Sequence, residues 1–398
     1  MCGIAGILDA GGARPVEVER MAETIAHRGP DEATTHVEAG LGFGFRRLAI
    51  IDLVTGTQPI PNEDESLWVM LNGEIYNYRE LRDRLLGKGH VFRTTGDTEV
   101  LVHLYEEYGA ALVDHLRGMF AFAIWDRPRR RLFLARDHLG QKPLYWAERN
   151  GRFFFASEIK AILAVEPAFR AVDPQALDEY FTLRIIADPR SMFAGIHKLP
   201  PAHVLEADAR GVRTRRYWSL AYEPKLDLGE AEALEALDAE VRESVRLHLV
   251  SDVPVGAFLS GGIDSGIVTA MVSALHDGPF KTFSYGLPYG VYDEAPAARS
   301  VSRRYGTEHF EGTLGGDVIA GLPRFVYHLD EPSDPLSACL FHLAALTRRE
   351  VKVAVGGDGG DELFGGYDRY YGALYARHYA RLPEVFRRQV VRRVLDWA

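Results

Sequence analysis

Residues 259–265 read L-S-G-G-I-D-S, and no other stretch of the chain constrains its fold as tightly. An apolar run over residues 253–259, short enough for a buried strand, leads into them. Residues 267–275 follow with apolar positions spaced as on a helix. The pattern predicts a strand ending at Leu259, a glycine loop and a helix start. Gly261 and Gly262 let the backbone approach a ligand with no side chain in the way, and free N–H groups at a helix N-terminus suit a polyanion. Ser260 and Ser265 add hydroxyl donors, and Asp264 adds a carboxylate suited to holding Mg²⁺ on phosphates. The loop lacks the G-K-[ST] of a Walker A motif and the G-x-G-x-x-G of a dinucleotide fold. Its plain alternative is a Ser/Gly turn with an Asx cap.

A chain of 398 residues, 47% hydrophobic and 26% charged, is long enough for two globular domains. Its 46 basic and 56 acidic residues give a net charge of −10, and no long basic stripe precedes the last twenty residues, which argues against a nucleic-acid partner. Two cysteines, Cys2 and Cys339, make no disulfide framework and fit a reducing cytoplasm. No apolar run approaches the roughly 18 residues of a membrane helix. The first eight residues lack the basic segment and long apolar core of a signal peptide. The sequence therefore predicts a cytoplasmic protein that does not engage a membrane.

Cys2 follows the initiator Met1, and a second residue this small normally permits removal of the methionine. The mature chain would then begin with a cysteine whose α-amino group, with a pKa of about 8, can activate a thiol of about 8.5. A lone cysteine is more often a small buried hydrophobe. Four polar knots follow it, each at the end of a β-like run: H-R-G-P-D at 27–31, R-R-L-A-I-I-D at 46–52, L-N-G-E-I-Y-N at 71–77 and T-G-D-T-E at 95–99. They supply what hydrolysis of glutamine needs. Arg47 offers a fork for an α-carboxylate, and Glu74 and Asp97 can accept from an α-ammonium. The Asn72 amide and the Gly73 N–H can donate to the oxyanion formed by thiolate attack. Taken singly, Arg47 also reads as a surface charge and Asn72-Gly73 as a hairpin turn.

The segments M-C-G-I-A-G-I, H-R-G-P-D, N-G-E-I-Y-N and G-D-T-E resemble the class II, N-terminal nucleophile glutamine amidotransferase domain. The resemblance implies an αββα sandwich and gives Cys2, Arg47, Asn72, Gly73, Glu74 and Asp97 the roles stated above. Residues 118–125 read as a buried strand. Residues 136–145 and 155–160 resemble further segments of the same family and are assigned to scaffold and the domain interface. Prolines, glycines and charges from residue 198 to 227 mark a boundary. The expected division is a glutaminase domain over 1–200, a linker over 201–230 and a second domain over 231–398.

In the second half, Leu234, Leu237, Val241, Val245 and Leu249 predict an amphipathic helix over 231–249. Strands then alternate with helices, as in a doubly wound parallel sheet that binds ligands at the carboxyl ends of its strands. The loop at 259–265 resembles the pyrophosphate loop of ATP pyrophosphatases. Residues 283–287 with Tyr292, Asp293 and Glu294 resemble the adenine- and ribose-binding segment of asparagine synthetases, which places Tyr285 at ATP. Residues 353–367 form a strand entering a glycine-rich, acidic loop. There Gly356 and Gly357 suit approach to phosphates, Asp361 joins Asp264 on Mg²⁺, and Asp358 orients or deprotonates ammonia. A solvated acidic turn is the plain reading of that loop alone. Asp330, Glu331 and Pro332 read as scaffold near the site, and Cys339 as core.

Together the halves resemble the glutamine-hydrolysing asparagine synthetase family over nearly the whole chain. The resemblance implies ammonia release at Cys2, its passage to a second site, and ATP-dependent adenylation of a carboxylate. That carboxylate is aspartate, or alternatively a sugar, exopolysaccharide or peptide precursor. ATP and Mg²⁺ are the implied cofactors and a homodimer the implied assembly. Three departures stand out. Gly266 occupies a place where a hydroxyl residue often stands, Asp358 a place where glutamate is usual, and Gly356 and Gly360 places where hydroxyl residues are frequent. Family members also run past this C-terminus and carry a lysine there that stabilises adenylation. Phe386, Val390 and Val394 make an apolar stripe beside Arg387, Arg388, Arg392 and Arg393. The chain is thus expected to be a shortened synthetase with an incomplete second domain, and a glutaminase with an inactive synthetase half is the other reading.

Overall fold

A computed structural model describes residues 1–276, 278–286, 293–313, 315, 318–333 and 337–387. Leu287, Tyr292, Arg388, Val390, Arg392, Arg393 and Val394 lie outside the described residues. In chain order the first elements are β1 (Gly3–Asp9), α1 (Pro15–Thr24), β2 (Glu32–Glu38), β3 (Leu41–Arg47), β4 (Ile60–Pro61), β5 (Leu67–Ile75), α2 (Tyr78–Leu86) and α3 (Val100–Tyr108). Next come β6 (Gly118–Asp126), β7 (Arg131–Arg136), β8 (Tyr145–Arg149), β9 (Arg152–Ala156), α4 (Ile159–Val165), α5 (Pro174–Leu183), β10 (Ile196–Lys198), β11 (His203–Asp208) and β12 (Gly211–Arg216). Then follow α6 (Glu230–His248), β13 (Val255–Phe258), α7 (Ile263–Leu275), β14 (Lys281–Gly286), α8 (Ala295–Tyr305) and β15 (Glu308–Thr313). The last are α9 (Val318–Leu329), α10 (Ser337–Thr347), β16 (Val353–Val355), α11 (Gly360–Phe364), α12 (Asp368–Ala380) and α13 (Glu384–Phe386). They form two compact units, Met1–Pro254 with Gly315–Val353, and Val255–Leu314 with Ala354–Ala398.

The first unit contains two six-stranded sheets, ordered β10-β8-β9-β1-β3-β2 and β12-β11-β7-β6-β5-β4. Strand alternation sends successive side chains to opposite faces, so each sheet has two apolar faces to cover. Ile4, Phe43, Phe45 and Phe155 of one sheet and Met70, Ala123, Trp125 and Leu134 of the other meet in a shared inner layer. The outer face of the first sheet packs Ile7 and Phe154 on α1 and α4, through Val18, Met21 and Ile162. The outer face of the second packs Val69, Leu71 and Phe122 on α2 and α3, through Leu81, Leu85 and Leu104. The layers are therefore α, β, β, α, as the resemblance implies. Each fully buried phenylalanine among them contributes about 1.5–3 kcal/mol.

Residues 201–230, expected as a linker, instead begin with the β11–β12 hairpin. Leu205 pairs with Leu134 and Thr214, so β11 and β12 complete the second sheet. Arg213, Arg215 and Arg216 on the exposed edge strand gave the segment its linker-like polarity. The predicted helix appears as α6, yet Leu234 and Leu237 are exposed, and only Val245 and Leu247 of the helix are buried.

The second unit holds a sheet ordered β15-β14-β13-β16. β13, β14 and β15 run parallel, with Phe283 pairing to Phe258 and Phe310. Chain order reverses between β13 and β16, a switch point of the kind where parallel sheets bind ligands beyond their strand ends. Among the described residues no helix is long and apolar enough to cross a membrane.

Candidate functional site

The inner-layer faces of the first unit extend to one end of the sandwich, and that continuation assembles a pocket. On β1 the inward alternation Leu8, Gly6, Ile4 continues to Cys2. On β3 it runs Leu41, Phe43, Phe45 to Arg47, beside Cys2 because Gly3 pairs with Arg46. From the facing sheet, Met70 is followed on the same side by Asn72 and Glu74. Cys2, Arg47, Gly73, Glu74, Asp97 and Thr98 line the pocket together.

The Cys2 thiol donates to the Leu48 carbonyl at 3.6 Å. Burial pushes its pKa up, with the amino-terminal charge pulling against that. Burial also lowers the Met1 α-amino group to about 5, leaving it an unprotonated amine at neutral pH. Arg47 is buried, donates Nη1 to Glu32 at 2.8 Å and turns Nη2 to the Asp52 carbonyl, so part of its fork is engaged by the protein itself. Asn72 is fully buried with neither side-chain amide atom hydrogen-bonded. Such a group costs about 1–3 kcal/mol unless a ligand satisfies it. At Gly73 a Cβ would collide with the Met119 carbonyl, so this position excludes any side chain.

Glu74 and Asp97 stand together. Desolvation raises Glu74 well above its usual range, with the Asp97 charge adding to it, and desolvation raises Asp97 to about 6. Asp97 is held by the Ile75 N–H, which donates to Oδ2 at 2.8 Å. Two adjoining buried carboxyls with raised pKa values are an arrangement that a cation beside them would shift toward ionisation. Lys142 lies near, its own pKa lowered by burial.

Sequence reading gave no individual role to Arg28 or Glu158, and both prove close to the nucleophile. Arg28 Nε donates to the Cys2 carbonyl at 2.9 Å and its Nη1 to Glu158 at 2.9 Å. Glu158 also meets His27 at 3.0 Å and Lys160. Lys160 reaches Asp330 at 3.0 Å, and Glu331 accepts from the Met192 N–H at 2.6 Å and pairs with Lys198 at 2.9 Å. Asp330 and Glu331 thus act as structural anchors. The Ile159 N–H also donates to Asp330 at 2.7 Å, across 171 residues, a separation no local pattern reveals.

In the second unit, Leu259 is buried and its N–H donates to Phe283 O at 2.8 Å, which fixes the strand end. The Ser260 and Ser265 hydroxyls are 3.0 Å apart, and the Gly262 N–H donates to Ser260 Oγ at 3.2 Å. Gly261 has φ +88°, and a Cβ there would sit 2.5 Å from Ala298 N on α8. Asp264 lies in the first turn of α7 and Asp361 in the first turn of α11. The acidic loop rests on the α7 start: a Cβ at Gly357 would be 2.8 Å from Ser265 N, and one at Gly360 would strike the Asp264 carboxylate. Asp358 turns its carboxylate back toward Gly356. The Tyr285 ring lies over Gly312. A hydroxyl pair, a helix start and two helix-start carboxylates make a set that fits Mg²⁺ bound jointly with a polyphosphate.

A family profile described as a glutamine amidotransferase domain matches residues 1–218, and one described as asparagine synthase matches residues 236–397. The chain belongs to the glutamine-hydrolysing asparagine synthetase family. Asparagine synthetase [glutamine-hydrolyzing] 1 of Bacillus subtilis is 36% identical over 399 residues, covering 98% of this chain and 63% of its own length. A putative asparagine synthetase [glutamine-hydrolyzing] 2 of Methanocaldococcus jannaschii is 33% identical, covering 97% of this chain and 79% of itself. Amidase chyE of Penicillium rubens is 32% identical over 89% of this chain and 55% of itself. This member of the synthetase family therefore spans a little under two thirds of the length of its Bacillus relative.

Proposed function

We propose that the protein hydrolyses glutamine at Cys2 and uses the ammonia to amidate an ATP-activated carboxylate, aspartate first among the candidates. The observation that carries this reading is the pocket in which Cys2, Arg47, Gly73, Glu74 and Asp97, drawn from four separate segments, face one space beside the unsatisfied Asn72 amide.

Hydrolysis of the Met1–Cys2 peptide bond releases methionine and exposes the α-amino group of Cys2, which takes the thiol proton. Arg47 receives the glutamine α-carboxylate, and Glu74 and Asp97 receive its α-ammonium, whose charge favours their ionised forms. The thiolate attacks the side-chain amide carbon. The Asn72 amide and the Gly73 N–H donate to the oxyanion, and collapse of the adduct breaks the C–N bond to release ammonia. Water then cleaves the thioester to glutamate.

In the second unit the Ser260–Ser265 loop cradles the ATP phosphates, and Tyr285 contributes to the nucleoside site. Asp264 and Asp361 would hold Mg²⁺, which supplies charge neutralisation for the departing pyrophosphate. The acceptor carboxylate attacks the α-phosphorus and displaces pyrophosphate. Ammonia, oriented by Asp358, then attacks the acyl carbon, the Asp358 carboxylate takes a proton from the nitrogen as the C–N bond forms, and AMP leaves. A cytoplasmic setting accords with the two free cysteines.

The test is formation of glutamate, AMP and pyrophosphate from ATP, Mg²⁺ and glutamine, with and without aspartate, for the wild type and Cys2→Ala. Aspartate-dependent pyrophosphate that requires ammonium in Cys2→Ala establishes the synthetase. Glutamate release without aspartate-dependent pyrophosphate assigns the acceptor elsewhere, and no glutamate release at all overturns the proposal.

A further inference from the structure

Away from the Cys2 pocket, the first unit brings four metal-ligating side chains to one point. Glu63 lies in the loop after β4, His90 in the loop after α2, and His103 with Glu106 one turn apart on α3. One ligand atom from each of the four falls within 4.8 Å of all the others. None of the four lines the Cys2 pocket.

The distances have the scale of coordination edges, with Glu63 turning Oε1 to His90 and Oε2 to His103. His90 Nδ1 is 3.4 Å from Glu63 Oε1 and 3.5 Å from Glu106 Oε2. His103 Nδ1 is 3.4 Å from Glu63 Oε2 and 2.9 Å from Glu106 Oε2. Zinc bonds of about 2.0–2.2 Å to nitrogen and oxygen give a tetrahedron with edges of about 3.3–3.6 Å.

An outer ring holds these ligands in place. Glu107 Oε1 stands 3.2 Å behind His90 Nε2, and Glu99 Oε1 stands 3.8 Å behind the fully buried His103 Nε2. Asn62 Nδ2 donates to Glu106 Oε1 at 2.9 Å, and the Val91 N–H donates to Glu63 Oε1 at 2.9 Å. The Glu107 carboxylate behind His90 favours the proton on its Nε2 and leaves its Nδ1 lone pair facing inward; His103 in the same tautomer, its buried Nε2 making no hydrogen bond, turns its Nδ1 lone pair inward as well. Four acceptors then converge, an arrangement that a cation completes. Two carboxylates neutralise a dication, and two nitrogens with two oxygens in a tetrahedron favour Zn²⁺ over Mg²⁺ or Ca²⁺, which take oxygen ligands in larger number.

We propose that Glu63, His90, His103 and Glu106 form a structural zinc site. All four positions come from the protein, which leaves none for a substrate. The ion ties the loops around Glu63 and His90 to α3. The loop that carries His90 leads on to Thr94, whose N–H donates to Glu99 at 2.7 Å, and then to Asp97 of the glutamine pocket. The site therefore braces the approach to Asp97 from outside.

The test uses the full chain in a Cys2→Ala background, which removes the nucleophilic thiol as a competing ligand. Protein stripped with a chelator is titrated with Zn²⁺ alone, reading bound metal and melting temperature, and with Co²⁺, reading its visible spectrum. One equivalent of Zn²⁺ per chain, a rise in melting temperature of several degrees and a tetrahedral Co²⁺ spectrum are expected. His90→Ala and Glu63→Gln, both at partly solvent-accessible positions, should each weaken uptake by at least tenfold while far-UV circular dichroism is retained. A stripped protein that takes up no Zn²⁺ would mean that protonated imidazoles balance the carboxylates, and the proposal fails. It fails equally if both variants bind Zn²⁺ as the parent does.

Discussion

Arg28 Nε donates to the backbone carbonyl of Cys2 at 2.9 Å, so a guanidinium 26 residues downstream holds the main chain of the nucleophile. The same guanidinium is pinned by Glu158. A charge-assisted hydrogen bond of this kind contributes about 1.5–3 kcal/mol. Arg28→Ala should lower kcat for glutamine hydrolysis by about 10–100-fold, because a small displacement of the attacking sulfur weakens attack more than binding. KM for glutamine should change far less. Initial rates of glutamate release, compared between wild type and variant over a range of glutamine, decide it.

The pH dependence of stability should carry the signature of Asp97. Its folded pKa is raised to about 6 from an ordinary 3.8 by desolvation. Between those values the folded state binds more protons than the unfolded state, so stability falls as pH rises from about 4 to 6. Asp97→Asn removes the titration, and the denaturant midpoint of wild type relative to the variant should decline over that window. Glutamine, whose ammonium pairs with the ionised carboxylates, should stabilise the wild type more strongly above pH 6 than below it. A midpoint difference that stays flat with pH would show that Asp97 titrates normally.

Cys2, Arg47 and Asn72 were legible because they lie on or continue regular strands, whereas Asp97 sits in the loop between α2 and α3 and was marked only by its polar knot. The inner-face alternation Ile4, Phe43, Phe45 and Met70 points directly at Cys2, Arg47 and Asn72. Loop chemistry at Ser260–Ser265 was legible for a similar reason, since it joins a short apolar strand to a helix. Arg28, Glu158 and Asp330 were not legible in the same way, because their partners are distant in sequence and ordinary in type. The zinc cluster escaped notice for the same reason: 43 residues separate Glu63 from Glu106, with no ligand-spacing motif between them. The β11–β12 hairpin was misread because an edge strand exposing arginines carries the composition of a linker.

The two glycines flanking the helix start in the second unit should respond oppositely to substitution. Gly261 has φ +88° and its missing Cβ would fall 2.5 Å from backbone of α8, so Gly261→Ala combines a strained conformation with a clash. It should destabilise the second unit by roughly 2 kcal/mol or more and abolish ATP-dependent pyrophosphate release while glutamate release persists. Gly266 has open space around its missing Cβ, so Gly266→Ser should fold normally. It should gain about 0.5 kcal/mol from the better helix propensity of serine. Thermal melts and pyrophosphate assays on the two variants distinguish these outcomes.

Lys160 sits between two buried carboxyls, contacting Glu158 and, at 3.0 Å, Asp330. The carboxyls differ in state. Hydrogen bonds from His27 and Lys160, with the Arg28 charge, outweigh desolvation at Glu158 and lower it to about 2. At Asp330 desolvation prevails over Lys160 and raises the pKa to about 6. Lys160→Met keeps most of the side-chain volume but deletes the cation, leaving Asp330 ionised and unpaired at neutral pH. Removing one partner from a buried pair costs about 3–5 kcal/mol. Protonation relieves that penalty, and the loss of the lysine pushes the Asp330 pKa up further. The destabilisation of Lys160→Met relative to wild type should therefore be largest near pH 8 and shrink as pH falls toward 5. Asp330→Asn in the same background should flatten that dependence, because no charge then remains at the site to be neutralised. Denaturant unfolding of the single and double variants at pH 5 and pH 8 measures both effects. Equal destabilisation at the two pH values would mean that Lys160 contributes packing rather than charge.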